Sequence, residues 1–172
     1  DAILCPKPET FEFLDAIFDE ISPLFPSKYV HIGGDEAVKT RWQQCPNCQA
    51  LIKQNALKNE YELQAYFVQK VADMLDSKGK SIIGWDEILE GGLSDKATIM
   101  SWRGVEGGVA AAKAGMDAIM TPTSYCYFDY YQSEKESEPL AIGGFLPLQK
   151  VYEFNPISEG LNENEFAHIL GG

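Results

Sequence analysis

Apolar positions along this chain fall into two alternating rhythms. Over residues 8–25, Phe11, Leu14, Ile17, Phe18, Ile21, Leu24 and Phe25 recur at helical spacing. Pro8, Glu9 and Glu12 suit the start of that helix, and Pro26 lies just past its end. "KYVHIGG" then predicts a short strand over residues 29–32, and a long connection follows with a helical piece around residues 50–57. Residues 61–78 carry the clearest stripe: Leu63, Phe67, Val71, Met74 and Leu75 share one face, and Gly79 suits the C-cap. "KSIIGWDEI" predicts a strand through Ser81–Trp85 and "ATIMSWRG" another, followed by a small-residue helix over 105–114 that Gly115 stops. "DAIMTPTSYCYFDYYQ" supplies a fourth strand, residues 118–121, and an aromatic loop. "LNENEFAHILGG" predicts one more short helix, begun at Asn162.

Short strands alternating with helices imply a parallel sheet, because parallel neighbours need crossover connections. The near-continuous apolar runs Tyr-Val-His-Ile, Ile-Ile, Thr-Ile-Met and Ala-Ile-Met fit a sheet covered on both faces. Two architectures remain, a doubly wound open sheet or part of a (β/α)8 barrel. No Gly-x-Gly-x-x-Gly follows a strand and there is no phosphate loop, so a nucleotide-binding open sheet loses support. No low-complexity linker or internal boundary interrupts residues 1–172.

Composition narrows the function classes. The chain has 172 residues, 45% hydrophobic and 23% charged, enough for one domain with a sizeable core. A formal net charge of −12 argues against nucleic-acid partners, which require clustered Lys and Arg, and against anionic lipid surfaces. No apolar run approaches the roughly 18–20 residues of a membrane span. With no initiator Met and no leader-like segment, the chain is expected to be a trimmed or excised piece. Of four cysteines only Cys45 and Cys48 sit close, as Cys-Pro-Asn-Cys. A zinc site needs about four ligands and a second pair is missing, so a structural or disulfide role is expected over metal or redox chemistry. Cys5 and Cys126 read as buried small hydrophobes.

Chemistry collects where strands end. The first ends in Gly33-Gly34-Asp35-Glu36, the second in Gly84-Trp85-Asp86-Glu87, the third in Ser101-Trp102-Arg103-Gly104, and the fourth runs into Tyr125, Tyr127, Asp129 and Tyr130. In parallel α/β folds the C-terminal strand ends share one face, where active sites sit. Carboxylates with aromatics at that face describe a sugar site, with rings stacking on C–H faces and carboxylates taking hydroxyl hydrogen bonds. Plainer readings stand beside each element. Trp85 and Trp102 could be core, Arg103 could pair with a neighbouring acid, and Tyr127 and Asp129 could lie in a solvated loop. His31 reads as a hydrogen-bonded core histidine rather than a ligand. Asp35, Glu36, Asp86 and Glu87 could instead hold Ca²⁺ or Mg²⁺, since hard cations favour oxygen clusters, although the interleaved aromatics disfavour it. Four accidents at successive strand ends are improbable together.

"HIGGDE", "GWDEI", "SWRG" and "YFDYY" resemble, in order and spacing, the motif series of the family-20 glycoside hydrolases, the β-N-acetylhexosaminidases. The resemblance implies an α/β fold, a partial (β/α)8 TIM barrel of about four parallel β/α units, strands four to seven. Residues 1–172 would be a fragment of that single catalytic domain. It also implies a retaining, substrate-assisted mechanism, in which the substrate's own 2-acetamido oxygen is the nucleophile. Glu36 would then be the general acid and later the base, while Asp35 stays ionised and accepts the acetamido N–H. Tyr127 would orient the acetamido oxygen, Trp85 and Trp102 would wall the pocket, and Asp129 would bind distal hydroxyls.

No metal and no cofactor is implied. The expected partner is a glycan with terminal β-linked N-acetylglucosamine or N-acetylgalactosamine, and the expected compartment is extracytoplasmic: periplasmic, secreted or lysosomal. The family's pocket also uses a first-strand Arg and an eighth-strand Trp, and the chain stops at "HILGG", about where the eighth strand should begin. The isolated piece is therefore expected to be inactive, with a non-catalytic carbohydrate-binding remnant as the alternative. Val30, Ile32, Ile83, Ile99 and Met120 are expected on an uncovered inner face, which would favour self-association.

Overall fold

The structure, a computed structural model, describes residues 3–92 and 96–172. Helix α1 (Pro8–Ile21) starts with Pro8 in its first turn, where a missing N–H costs nothing. It stops at Ile21 although the apolar stripe runs to Phe25. Pro23 has no N–H to donate and its ring would clash with the carbonyl four residues back, so the helical ladder ends there. Leu24 and Phe25 are consequently exposed, at 69% and 62%.

Strand β1 (Tyr29–His31) leads into α2 (Thr40–Gln44) and α3 (Pro46–Gln54), so helix begins ten residues before the predicted 50–57 piece. Helix α4 (Glu60–Ser77) is the predicted long helix. The Asn59 side chain accepts from the N–H groups of Tyr61 and Glu62, and Gly79 follows the helix at φ +71°. Leu63, Val71 and Leu75 of its stripe are buried, and Phe67 meets Phe11 of α1 with ring centroids 5.2 Å apart. Strand β2 (Ser81–Trp85) pairs with β1 in parallel, Tyr29 opposite Ser81 and His31 opposite Ile83. A 3-10 turn, Asp86–Leu89, follows directly.

The chain divides into two compact units, Asp1–Thr98 and Ile99–Gly172. In the second, β3 (Ala97–Ser101, whose first two residues belong to the first unit) precedes α5 (Glu106–Lys113) and β4 (Ala118–Met120). Short helices α6 (Thr123–Cys126), α7 (Leu148–Tyr152) and α8 (Glu163–Phe166) follow, then β5 (Ile169–Gly171). Strand β4 pairs in parallel with both β3 and β5. Strand order follows chain order, β1 to β5, which is the α/β alternation of a partial (β/α)8 barrel.

Two expectations change in this unit. The helix predicted at Asn162 exists, with a reciprocal Asn162–Glu165 capping box, but it lasts one turn and Ile169–Gly171 becomes a fifth strand beside β4. Ile99 and Met120 are not on an uncovered face: both are fully buried. Ile99 and Ser101 lie on the same side of β3, and Ser101 Oγ accepts from the Gly108 N–H of α5 at 3.0 Å. A Cβ at Gly108 would fall 2.3 Å from Met120 Sδ, so these residues face a closely packed helix.

Candidate active site

The acid pair sits on a turn that its surroundings hold in place. After β1 the chain passes through Gly33 at φ +74° and Gly34 at φ +101°. A Cβ on Gly34 would lie 2.4 Å from Ile88 Cγ2, so neither the backbone angle nor the space admits a side chain there. Ile88 comes from the 3-10 turn after β2, which is how the second strand end supports the first. Glu36 also adopts a left-handed conformation, φ +44°, at a cost of about 1–3 kcal/mol for a residue with a Cβ.

That strain persists because hydrogen bonds bracket the pair. Gln64, only 6% exposed on α4, donates its Nε2–H to the Gly34 carbonyl at 2.8 Å. Lys39 Nζ donates to Gln64 Oε1 and to the Ala37 carbonyl, each at 2.6 Å. Burial pulls the Lys39 pKa below its ordinary value, against the opposing pull of Glu90 and Glu87. Asp35 and Glu36 themselves stay exposed to solvent. Asp35 lines a largely apolar cavity of about 420 Å³ with His31, Leu14, Phe18 and Phe67, and Glu36 is not among its walls.

His31 is exposed rather than core, and it is tied to the same turn. Its Nδ1 accepts the Gly33 N–H at 3.1 Å, and its ring meets the Trp85 ring edge-on at 4.8 Å. Partial burial holds the His31 pKa below 6.5, with Asp35 pulling the other way. A neutral ring is what this geometry requires, since a doubly protonated imidazole cannot accept. Trp85 is half-buried, so it keeps an accessible surface beside His31.

The second unit carries the remaining predicted residues. The Trp102 and Tyr127 rings stack at 6.3 Å with 23° between planes, and Tyr130 adjoins Tyr127 at 6.0 Å. Gly144, at φ +68°, lies where a Cβ would stand 2.5 Å from the Tyr130 ring, so this loop passes directly over that aromatic. Asp129 is exposed, and its backbone carbonyl accepts from the Ile142 N–H at 3.3 Å.

Asp35, Glu36, Asp86 and Glu87 do not form a group of converging donors among the described residues. Among the described residues, the group whose donors converge within metal-binding range is Cys5, Cys45 and Cys48, with no carboxylate among them. The residues missed by sequence reasoning are His31 in its bracing role, and Gln64 and Lys39. Gln64 left one signal, an amide on the otherwise apolar stripe of α4.

The whole chain, residues 1–172, matches the model of the glycosyl hydrolase family 20 catalytic domain. The chain belongs to glycosyl hydrolase family 20. A β-hexosaminidase of Porphyromonas gingivalis is 48% identical over 172 residues, which cover 99% of this chain and 22% of that relative. The Flavobacterium johnsoniae chitobiase structure superposes with TM-score 0.80 at 33% identity, covering 99% of this chain and 26% of that one. The exo-β-N-acetylglucosaminidase of Vibrio harveyi, solved with N-acetylglucosamine, gives TM-score 0.82 at 32% identity, covering 98% and 27%. This family 20 chain thus spans about a quarter of the length of these relatives.

Proposed function

We propose that residues 1–172 supply the acid pair and sugar-gripping aromatics of a retaining, substrate-assisted β-N-acetylhexosaminidase. Its substrate would be a glycan ending in β-linked N-acetylglucosamine or N-acetylgalactosamine. The observation that carries this reading is the strained, braced Gly33–Ala37 turn, which presents two adjacent acids at a strand's C-terminal end. Strain of this kind, held by surrounding structure, concentrates at functional sites. The family membership and the names of the relatives point the same way.

Most retaining glycosidases use one carboxylate as acid and a second as nucleophile, and this family is an exception. The acetamido carbonyl oxygen attacks the anomeric carbon and closes an oxazoline ring as the glycosidic bond breaks. Glu36 gives its proton to the departing oxygen, then takes one from the water that opens the ring. Asp35 accepts the acetamido N–H and offsets the positive charge of the ring. Tyr127 donates to the acetamido oxygen and aligns it for attack. Trp85 and Trp102 wall the acetamido group and ring, and Asp129 accepts from distal hydroxyls. Residues 1–172 alone are proposed to turn over negligibly.

The test is a comparison of leaving groups in the full-length protein that carries this span. Glu36→Gln should slow glycosylation of poorly activated β-N-acetylglucosaminides by about 10²–10⁴-fold. Activated aryl glycosides should lose far less in that step, because they need little protonation. Equal losses on both would overturn the assignment of Glu36. Comparable turnover of β-glucosides lacking the acetamido group would overturn substrate assistance.

A further inference from the structure

Three sulfur atoms that are far apart in sequence meet in the first unit. Cys5 Sγ lies 3.4 Å from Cys48 Sγ, and the Sγ atoms of Cys5, Cys45 and Cys48 all fall within 4.8 Å of one another. The sequence separates Cys5 from Cys45 by forty positions, so the missing third ligand was invisible to spacing arguments. We propose that Cys5, Cys45 and Cys48 form a three-thiolate site for a soft divalent cation, Zn²⁺, with water as the fourth ligand.

The geometry is that of three corners of a tetrahedron. Zinc–thiolate bonds of about 2.3 Å place neighbouring sulfurs about 3.8 Å apart, inside the observed spread. Cys45 is the N-cap of α3 and Pro46 opens the helix, which lifts Cys48 in the first turn back toward Cys45.

Cys5 is delivered by separate anchors. The Trp42 indole N–H donates to the Leu4 carbonyl at 3.1 Å, and the Lys7 N–H donates to the Cys5 carbonyl at 2.8 Å. Trp42 is itself buried, so the N-terminal segment is pinned to α2, one residue ahead of α3, before any bond between sulfurs is considered. Cys48 belongs to a buried apolar group with Trp42, Ile52 and Leu63, against which Cys5 and Cys45 pack. Cys5 and Cys45 stay half-buried, so water has access from their side.

The donor set selects the cation. Thiolates favour zinc over calcium or magnesium, and no carboxylate joins the group among the described residues. Binding exchanges thiol protons for metal: the three S–H groups release up to three protons to buffer, three Zn–S bonds form, and nothing is oxidised or reduced. The rival chemistry is a disulfide, which would consume two of the sulfurs and leave the third alone.

The decisive experiment titrates the reduced, purified full chain with Co²⁺ under anaerobic conditions, then displaces it with Zn²⁺. Expected are a one-to-one endpoint, a thiolate-to-cobalt charge-transfer band, tetrahedral visible bands, and their loss on adding zinc. Zn²⁺ should raise the melting temperature of the reduced chain. Cys45→Ser and Cys5→Ser should each weaken zinc binding by more than about 100-fold, beyond what outer-shell changes cost. Cys126→Ser, at a cysteine outside the cluster, should bind as before. Because buried Cys48 is the variant most exposed to misfolding, half-buried Cys5 and Cys45 carry the test. Absence of the charge-transfer band in a folded, reduced chain would overturn the proposal. So would unchanged zinc affinity in Cys5→Ser, or an isolated chain whose mass and peptides show a Cys5–Cys48 disulfide.

Discussion

At the scale of single residues, the acid pair depends on a neighbour with no evident charge chemistry. His31 accepts the Gly33 N–H through Nδ1, so it supports the turn only while neutral. Its folded-state pKa lies below 6.5, chiefly because of burial, so the unfolded chain takes up the proton first as pH falls. The His31 contribution to stability is therefore fully present above about pH 6.5 and is lost as pH drops through the lower folded value. Protonation would place hydrogen on Nδ1, break the bond to Gly33 and loosen the turn beside Asp35. An NMR titration should give a His31 pKa below 6.5, with the Gly33 amide shifting in step. In denaturant melts, the difference between wild type and His31→Gln should shrink as the pH is lowered across that window. A His31 pKa above 6.5, or a Gly33 amide that ignores the titration, would remove this role.

At the scale of elements, the turn that carries Asp35 and Glu36 belongs as much to α4 and the 3-10 turn as to β1. Gln64→Leu would remove the donor to the Gly34 carbonyl and the acceptor for Lys39, leaving polar groups unpaired at about 1–3 kcal/mol. For the proposed reaction in the full-length protein, kcat should fall with KM little changed, because the change falls on the turn that holds the proposed acids. Gln64→Glu, which still accepts from Lys39, should recover part of the loss in kcat. A drop in melting temperature with kcat intact would mean Gln64 supports the fold alone.

Much of this level was legible in advance. The stripe of α4, the strands at Ser81–Trp85 and Ala97–Ser101, and the chemistry at their ends follow from local periodicity. Gln64 was hidden because its partners, Gly34 and Lys39, are remote in sequence. Cys5 was hidden for the same reason. Ile99 and Met120 were assigned to the wrong face because a parallel strand buried on both sides shows no alternation to read. Strand β5 was absorbed into a helix because three residues carry no period at all.

At the scale of the whole molecule, two compact units each leave large apolar side chains in solvent. In the first these include Phe13 at 60%, Leu24 at 69% and Phe25 at 62%. In the second they include Phe128 at 75%, Leu140 at 96%, Ile142 at 79% and Tyr152 at 84%. Exposed rings and branched chains in such numbers favour association, while a net charge of −12 opposes it. The two effects respond differently to salt. Charge repulsion between copies is screened over about 10 Å at 0.1 M and about 3 Å at 1 M, whereas apolar burial is not weakened. Residues 1–172 should therefore approach a monomer at low ionic strength and self-associate as salt is added. Light scattering across a NaCl series at fixed protein concentration should show mass rising with salt, and Leu140→Lys with Ile142→Glu, which leaves the net charge unchanged, should blunt the rise. A particle whose mass stays monomeric throughout the series would mean these side chains do not drive association. A mass falling with salt would mean that charge pairing, not apolar contact, holds the copies together.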